Sequence, residues 1–281
     1  MRAAAVQLNS GPDRAQNIER AERLVRAAAG QGAEFVVLPE KWELLGDGEM
    51  LAERAEPVDG EAVRAAREWA RELGVVVVAG SVSERLEGSD RPANTSLVID
   101  REGEIIARYR KIHMFDVDVG GVAYRESEHQ QAGAEIVLAD ADLELRLGLT
   151  VCYDLRFPEL FRVLALRGAG LITVPAAFTA FTGEPHWEPL LRARAIENQL
   201  FLVAANQYGA ADPHFESWGH SMIVDPWGRV LASCGSEEGV AIAELDAGEL
   251  SRVRRELPAL ANRRPAAYLW PPDDATVGAH G

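Results

Sequence analysis

Ala33-Glu34-Phe35-Val36-Val37-Leu38-Pro39 is a short apolar run closed by proline, and its pattern returns as Ala169-Gly170-Leu171-Ile172-Thr173-Val174-Pro175. Runs of this kind, rich in Val, Ile and Leu and bounded by turn formers, read as strands covered on both faces. A second pair follows in the same order: Ser96-Leu97-Val98-Ile99-Asp100 and Ser221-Met222-Ile223-Val224-Asp225. Two matched pairs in one order favour an internal repeat over chance likeness between β-rich segments. The implied architecture is α/β, with two similar αββ-type halves. Their sheets pack face to face and their helices lie outside, as a four-layer α-β-β-α sandwich.

Around these anchors, strand patterns fall at Arg2–Leu8, Glu34–Leu38, Val75–Val82, Thr95–Asp100 and Glu104–Arg110. The second half offers Leu145–Val151, Leu171–Val174, Phe201–Asn206, His220–Asp225, Arg229–Ser233 and Val240–Leu245. Ile18, Ala21, Leu24, Val25 and Ala28 share a helical face, with Gly30 as a stop; Val63, Ala66, Ala70 and Leu73 repeat the pattern before Gly74. Pro158 opens a short helix that stops at Gly168, and a longer helix is expected from about Trp187 to Leu200. No linker rich in Pro, Ser or Gly divides the chain, so it reads as one domain, followed by a polar, mobile tail over Pro271–Gly281.

The 281 residues are 47% hydrophobic and 26% charged, ample for a large core. A net charge of −15 repels phosphate backbones, so nucleic acid is not an expected partner, and an anionic ligand needs a local positive group. The N-terminus turns polar at Gln7, unlike a signal peptide, and no apolar run approaches the roughly 20 residues that cross a bilayer. Two cysteines, Cys152 and Cys234, make no disulfide framework and suit a reducing compartment, so a cytoplasmic location away from membranes is expected. The six histidines lack metal-binding spacing and no glycine loop has the form of a phosphate cradle. Neither a metal nor another cofactor is implied.

Three residues stand where chemistry is possible. Cys152 follows a strand and precedes a turn and a helix, a junction that exposes a side chain beside unpaired backbone N–H groups. Free cysteines are also common as buried structural residues, and position alone leaves both readings open. Glu40 ends the apolar strand Phe35–Pro39, where α/β folds place their sites; a solvated charge at a loop start is the alternative. Lys111 lies in the basic run Arg108-Tyr109-Arg110-Lys111-Ile112-His113, and as a lone residue it reads equally as a surface lysine. Cys234, in the turn Ser233-Cys234-Gly235, reads as a bystander.

Leu38-Pro39-Glu40, Tyr109-Arg110-Lys111-Ile112-His113 and Val151-Cys152-Tyr153-Asp154-Leu155-Arg156-Phe157-Pro158-Glu159-Leu160 resemble the three signature segments of the nitrilase superfamily of carbon-nitrogen hydrolases. The likeness runs from the first strand to about Trp270, so a hydrolase domain over residues 1–270 and a tail over 271–281 are expected. Gly183-Glu184-Pro185-His186-Trp187-Glu188, Leu191-Arg192-Ala193-Arg194-Ala195-Ile196-Glu197-Asn198-Gln199, Trp218-Gly219-His220-Ser221 and Asn262-Arg263-Arg264-Pro265 are similar to the amidase branch, near omega-amidases and deaminated-glutathione amidases. Glu184 departs from the small or apolar residue common there, at a segment expected to border the substrate.

The resemblance implies that Cys152 attacks an amide carbon, Glu40 moves the protons, and Lys111 with the backbone N–H of Tyr153 holds the oxyanion. Glu126, more than Glu128, matches a second glutamate that positions this set. Arg156 matches a position that grips substrate carboxylates, with an ion pair to Asp154 as the structural alternative. The expected substrate is a small carboxylate-bearing amide, such as an omega-amide of a dicarboxylic or α-keto acid, or deaminated glutathione. Hydrolysis of N-carbamoyl amino acids or nitriles is the enzymatic alternative, and a non-enzymatic binding protein of the same fold the third. Relatives associate through helices near the nucleophile, here Pro158–Arg167 and Trp187–Leu200. Leu160, Leu164 and Leu166 spread around the first of these, so a homodimer or higher homo-oligomer is expected.

Overall fold

The computed structural model describes residues 1–212 and 215–268; the expected tail lies outside them. In chain order the first half runs β1 (Arg2–Gln7), α1 (Arg14–Gly30), β2 (Phe35–Val37), α2 (Gly48–Glu53), α3 (Glu61–Leu73), β3 (Val76–Val78), β4 (Val82–Glu84), β5 (Ala93–Ile99) and β6 (Ile105–Arg110). A hairpin of β7 (Asp116–Val119) and β8 (Val122–Arg125) leads into a single turn, α4 (Glu126–His129). The second half comprises β9 (Leu138–Ala139), β10 (Leu147–Leu149), a 3-10 turn at Cys152–Arg156, α5 (Pro158–Leu166), β11 (Leu171–Thr173), α6 (Ala180–Asn198) and β12 (Phe201–Ala204). It continues through the hairpin β13 (Tyr208–Asp212) and β14 (Phe215–Trp218), then β15 (Met222–Val224), β16 (Val230–Ser233), β17 (Gly239–Glu244) and α7 (Ala247–Glu256).

The repeat read from the two strand pairs is present in the pairing itself. β1, β2 and β3 run parallel and β5 returns antiparallel on β3. In the second sheet β10, β11 and β12 run parallel and β15 returns antiparallel on β12. Alternation along the strands then builds four layers, because successive side chains leave opposite faces. Ala3, Ala5, Phe35 and Val37 point into one cluster with Leu147, Leu171 and Val203 of the other sheet. Ala4, Val6, Val36 and Leu38 point the other way, onto Leu24 and Val25 of α1 and Ala66 and Trp69 of α3. On the far side, α5 and α6 cover the second sheet through Phe161, Leu164, Trp187 and Leu191.

Several boundaries differ from the sequence reading. The strand expected over Val75–Val82 is interrupted: β3 and β4 both pair with β5, Val78 opposite Val98 and Val82 opposite Thr95, with an extra residue between. This bulge centres on Gly80, whose φ is +38°. Its missing Cβ leaves room for the Pro39 carbonyl oxygen, which would stand 1.9 Å from a side chain there. α6 begins at Ala180, well before Trp187, and carries Pro185 and Pro189 through its body. Its first turns persist because they pack: Gly183 lies against the Trp218 side chain so closely that a Cβ would stand 2.3 Å from it. Gly30 is the last residue of α1 and Gln31 forms its cap. On α5, Leu160 and Leu164 are buried within the protomer, and only Leu166 of the three expected contact leucines is exposed.

Candidate active site

Both halves deliver their chemistry at the carboxyl ends of parallel strands. β2 ends at Val37, and Leu38-Pro39 carries the chain to Glu40. The bulge after β3 then grips the following residues. The Ser81 N–H donates to the Pro39 carbonyl (3.3 Å), the Lys41 N–H to Ser81 Oγ (3.0 Å), and the Trp42 indole N–H to the Ala79 carbonyl (3.1 Å). β10 ends at Leu149, and Cys152 opens the 3-10 turn with a φ of +48°, a left-handed conformation that costs a non-glycine residue about 1–3 kcal/mol. Its N–H donates to the Pro175 carbonyl at 2.7 Å. The first bond of the turn runs from the Asp154 N–H to the Val151 carbonyl. The N–H of Tyr153, between them, precedes that bond and has no acceptor within the turn.

Glu40, Lys111 and Cys152 are 2%, 2% and 8% exposed, so neither the solvated-glutamate nor the surface-lysine reading holds. Lys111 Nζ donates to Glu40 Oε1 at 3.0 Å and to Glu126 Oε2 at 2.7 Å. Of the two glutamates weighed from sequence, it is Glu126 that meets Lys111, while Glu128 stands elsewhere in the cavity wall. Glu40 also accepts from Asn94 Nδ2 at 2.7 Å and from the Ala177 N–H at 2.9 Å. Burial pushes Glu40 up, but Lys111 and then Lys41 outweigh it and hold the carboxyl below its usual range. Burial pulls Lys111 down, yet Glu126 and Glu40 keep it firmly protonated. Burial and then the Glu40 charge push the Cys152 thiol well up. The resting centre is therefore a neutral thiol beside an ionised carboxylate, the arrangement a general base requires.

These groups lie at a cavity of about 420 Å³, within the usual size of small-molecule sites. Phe115, Val122, Ala123, Phe178 and Phe215 give it apolar walls, and Tyr153 and Arg156 also line it. The ion pair considered between Arg156 and Asp154 is not formed. Asp154 is fully buried and accepts from the Tyr109 hydroxyl (2.6 Å), the Val151 N–H (2.8 Å) and the His113 backbone N–H (3.3 Å), with His113 Nδ1 at 2.7 Å. Among the described residues no carboxylate pairs with Arg156. Its guanidinium lies 5.0 Å from the centre of the Phe178 ring and 3.3 Å from His186 Nδ1, and burial lowers its affinity for the proton. A cation held over aromatic rings without a counter-ion suits a ligand anion. Glu184 is exposed and outside the lining; Thr182 of the same helix faces the cavity instead.

Three functional contacts escaped the sequence reading. Asn94 holds Glu40 from one side and accepts the Lys111 N–H (2.9 Å) on its own carbonyl. Asp154 ties the turn that begins at Cys152 to Tyr109 and His113, the residues two before and two after Lys111. Such i±2 spacing puts side chains on one face of an extended segment, and was the available signal. The Phe115 N–H donates to Glu126 Oε2 at 2.8 Å and fixes the second carboxylate.

Known proteins resemble this chain in sequence and in fold. The carbon-nitrogen hydrolase family model matches residues 2–255. Deaminated glutathione amidase of Synechocystis sp. (strain PCC 6803 / GT-S) is 41% identical over 264 residues, which is 93% of this chain and 97% of that protein. Omega-amidase NIT2 of Homo sapiens is 36% identical over 268 residues, covering 95% and 96%. The structure of a mutant amidase from Nesterenkonia sp. AN1 superposes with a TM-score of 0.80 at 28% identity, covering 95% of both chains. That enzyme carries the acetamide moiety of fluoroacetamide covalently added at its active-site cysteine.

Proposed function

This chain belongs to the carbon-nitrogen hydrolase family, and on that premise we propose that one domain over residues 1–270 hydrolyses small carboxylate-bearing amides through Cys152, Glu40 and Lys111. Glu40 takes the thiol proton as Sγ attacks the amide carbon. The carbonyl oxygen, now anionic, rests on Lys111 Nζ and the Tyr153 N–H; each such donor lowers the barrier by roughly 3–4 kcal/mol. Glu40 returns the proton to the amide nitrogen, ammonia leaves, and a thioester remains. A water then gives its proton to Glu40 and its oxygen to the thioester carbon, releasing the acid and restoring the thiol. Glu126 holds Lys111 from the other side and stays ionised throughout.

The observation that carries this reading is the single ammonium of Lys111 set between two buried carboxylates, at the cavity that Cys152 also lines. Arg156 is the group that would fix a substrate carboxylate remote from the scissile bond. An omega-amide of a dicarboxylic or α-keto acid, or deaminated glutathione, has that form. Among the described residues no helix is long and apolar enough to cross a membrane, and both cysteines are free thiols. Free thiols suit a reducing compartment; we place the enzyme in the cytoplasm on that ground and take it to be at least a homodimer.

The test is ammonia release from a panel of short omega-amides, nitriles and N-carbamoyl amino acids, with Cys152→Ala beside the wild type. Turnover confined to the amides and absent from the folded variant is the expected result. Comparable turnover by Cys152→Ala would refute the assignment.

A further inference from the structure

Lys41 is unused by the mechanism above, yet it stands in the wall of the same cavity. Its Nζ lies 3.3 Å from Glu126 Oε1, on the carboxylate whose other oxygen receives Lys111. The backbone gives no reason for a lysine here. Its φ of +54° is a left-handed conformation that glycine adopts freely and other residues adopt at a cost. The Ser81 hydroxyl holds the Lys41 N–H in that conformation, with the side chain 16% exposed.

Charge counting shows what the group supplies. Glu40 and Glu126 bring two negative charges into a buried centre, and Lys111 bonds to both with one positive charge. Two carboxylates sharing one ammonium leave a net buried charge, and such pairs keep a proton on one member. We propose that Lys41 is a positioning residue of the reaction centre, supplying the second positive charge that lets Glu40 and Glu126 be ionised together around Lys111. The balance survives the first chemical step, because moving the thiol proton to Glu40 only transfers the negative charge to sulfur.

The groups acting on Glu40 come from every neighbouring segment: Lys111 after β6, Lys41 beside it, Glu126 at the start of α4 and Cys152 of the 3-10 turn. Arg156, Arg125, Asp47, Glu128, His129, Tyr124 and Tyr153 complete the ionisable part of the wall, Arg125 being paired with Asp118. After burial, which acts the other way, Lys111 and Lys41 are in that order the two cations that draw Glu40 down.

This role rests on Glu40 serving as the base for Cys152, so the test avoids amide turnover. The rate of Cys152 alkylation by iodoacetate, which has no amide bond to hydrolyse, is followed by peptide mass spectrometry from pH 4 to pH 9. Sulfur bonds to the methylene carbon, iodide leaves, and the thiol proton goes to Glu40. Cys234, whose thiol burial holds up at about 11, serves as the internal control. In the wild type the Cys152 rate should stay nearly level over most of the range. In Lys41→Met its acid limb should move up by about one pH unit or more, with the high-pH rate within about threefold of wild type. Lys41→Arg should return the limb to its wild-type place. Lys41→Met combined with Glu126→Gln should also bring it back, since removing one charge of each sign restores neutrality. An acid limb that does not move in Lys41→Met, whatever the loss of overall rate, would overturn the proposal. So would a double variant as displaced as the single one. If Lys41→Met does not fold, Lys41→Gln, which keeps a donor for Glu126 without the charge, carries the same test. A wild type that alkylates as expected but hydrolyses no amide would refute the proposed function and leave the role of Lys41 standing.

Discussion

A carboxylate buried as deeply as Glu40 ordinarily keeps its proton, and its surroundings reverse that preference. Because the folded group is drawn below the ordinary carboxylate value of 4.5, its base form persists at that pH and is lost only as the pH falls through the lower, folded value. The acid limb of kcat/KM should therefore lie below pH 4.5; a limb near neutrality in folded enzyme would assign the base to another group. Arg156 gives a separate test. A charge-assisted contact is worth about 1.5–3 kcal/mol, so Arg156→Met should raise KM for an omega-amide acid by about 10- to 100-fold. The methyl ester of the same compound should be handled alike by both forms, and equal rates for acid and ester in the wild type would return Arg156 to a structural role. At this scale Glu40, Lys111 and Cys152 each stand at the end of a strand pattern, but the likeness of their segments to the family's is what singled them out, and Glu126 and Arg156 were legible from that likeness alone. Asn94 and Asp154 were not, since their contacts reach Glu40 and Tyr109 across 54 and 45 residues of chain. For Asp154 the spacing of Tyr109 and His113 about Lys111 is the one local sign of such closure, and Asn94 has none.

The parallel strands and their covering helices followed from apolar runs and 3.6-residue spacing, which local burial dictates directly. Among the features that were missed, the β7–β8 hairpin and the bulge after β3 are ones in which glycine governs the backbone, whereas α7 (Ala247–Glu256) was simply not read. Asp116-Val117-Asp118-Val119-Gly120-Gly121-Val122 alternates and turns on two glycines with φ of +63° and +79°, a readable hairpin signal that the acidic residues obscured. Its β8 strand supplies the cavity wall from Val122 to Arg125 and delivers Glu126. Gly80, inside an otherwise continuous valine-rich strand, marks the bulge that braces the Pro39–Trp42 segment. Gly80→Ala would force a methyl group into the Pro39 carbonyl, two bonds from the residue that carries the base. It should cost about 3 kcal/mol of stability and lower kcat about tenfold or more. Gly88 is the control. It too has a positive φ, +76°, but open space around its Cβ position, so Gly88→Ala should cost only about 1–2 kcal/mol and leave kcat unchanged. Equal effects of the two substitutions on activity would show that the bulge does not position Glu40.

For the whole molecule, the balance lies between a net charge of −15 and the apolar surface left uncovered. Ile196 on α6 packs over Gly228, which follows Trp227 and precedes the β16 residues Val230 and Leu231 in the chain, and Ile196, Trp227, Val230 and Leu231 are 49%, 47%, 38% and 39% exposed. β16 is also the terminal strand of its sheet, so one region combines apolar side chains with an open strand. Open strand edges and contiguous apolar surface are the features that association covers. Leu160 and Leu164, which suggested a contact from sequence, are spent on the protomer's own core, and the weight shifts toward α6 and β16. Two protomers of the same sign repel over about a Debye length, roughly 10 Å at 0.1 M salt, while apolar burial is insensitive to screening. The dimer we propose should therefore tighten as salt is raised, opposite to an assembly held by ion pairs. Ile196→Glu, which adds a charge at the centre of the patch, should give a protomer of unchanged melting behaviour that sediments as a monomer at micromolar concentration. If the wild type is itself monomeric by light scattering from 50 to 500 mM salt, the patch is not a self-association surface. If Ile196→Glu stays dimeric, the contact lies on another face.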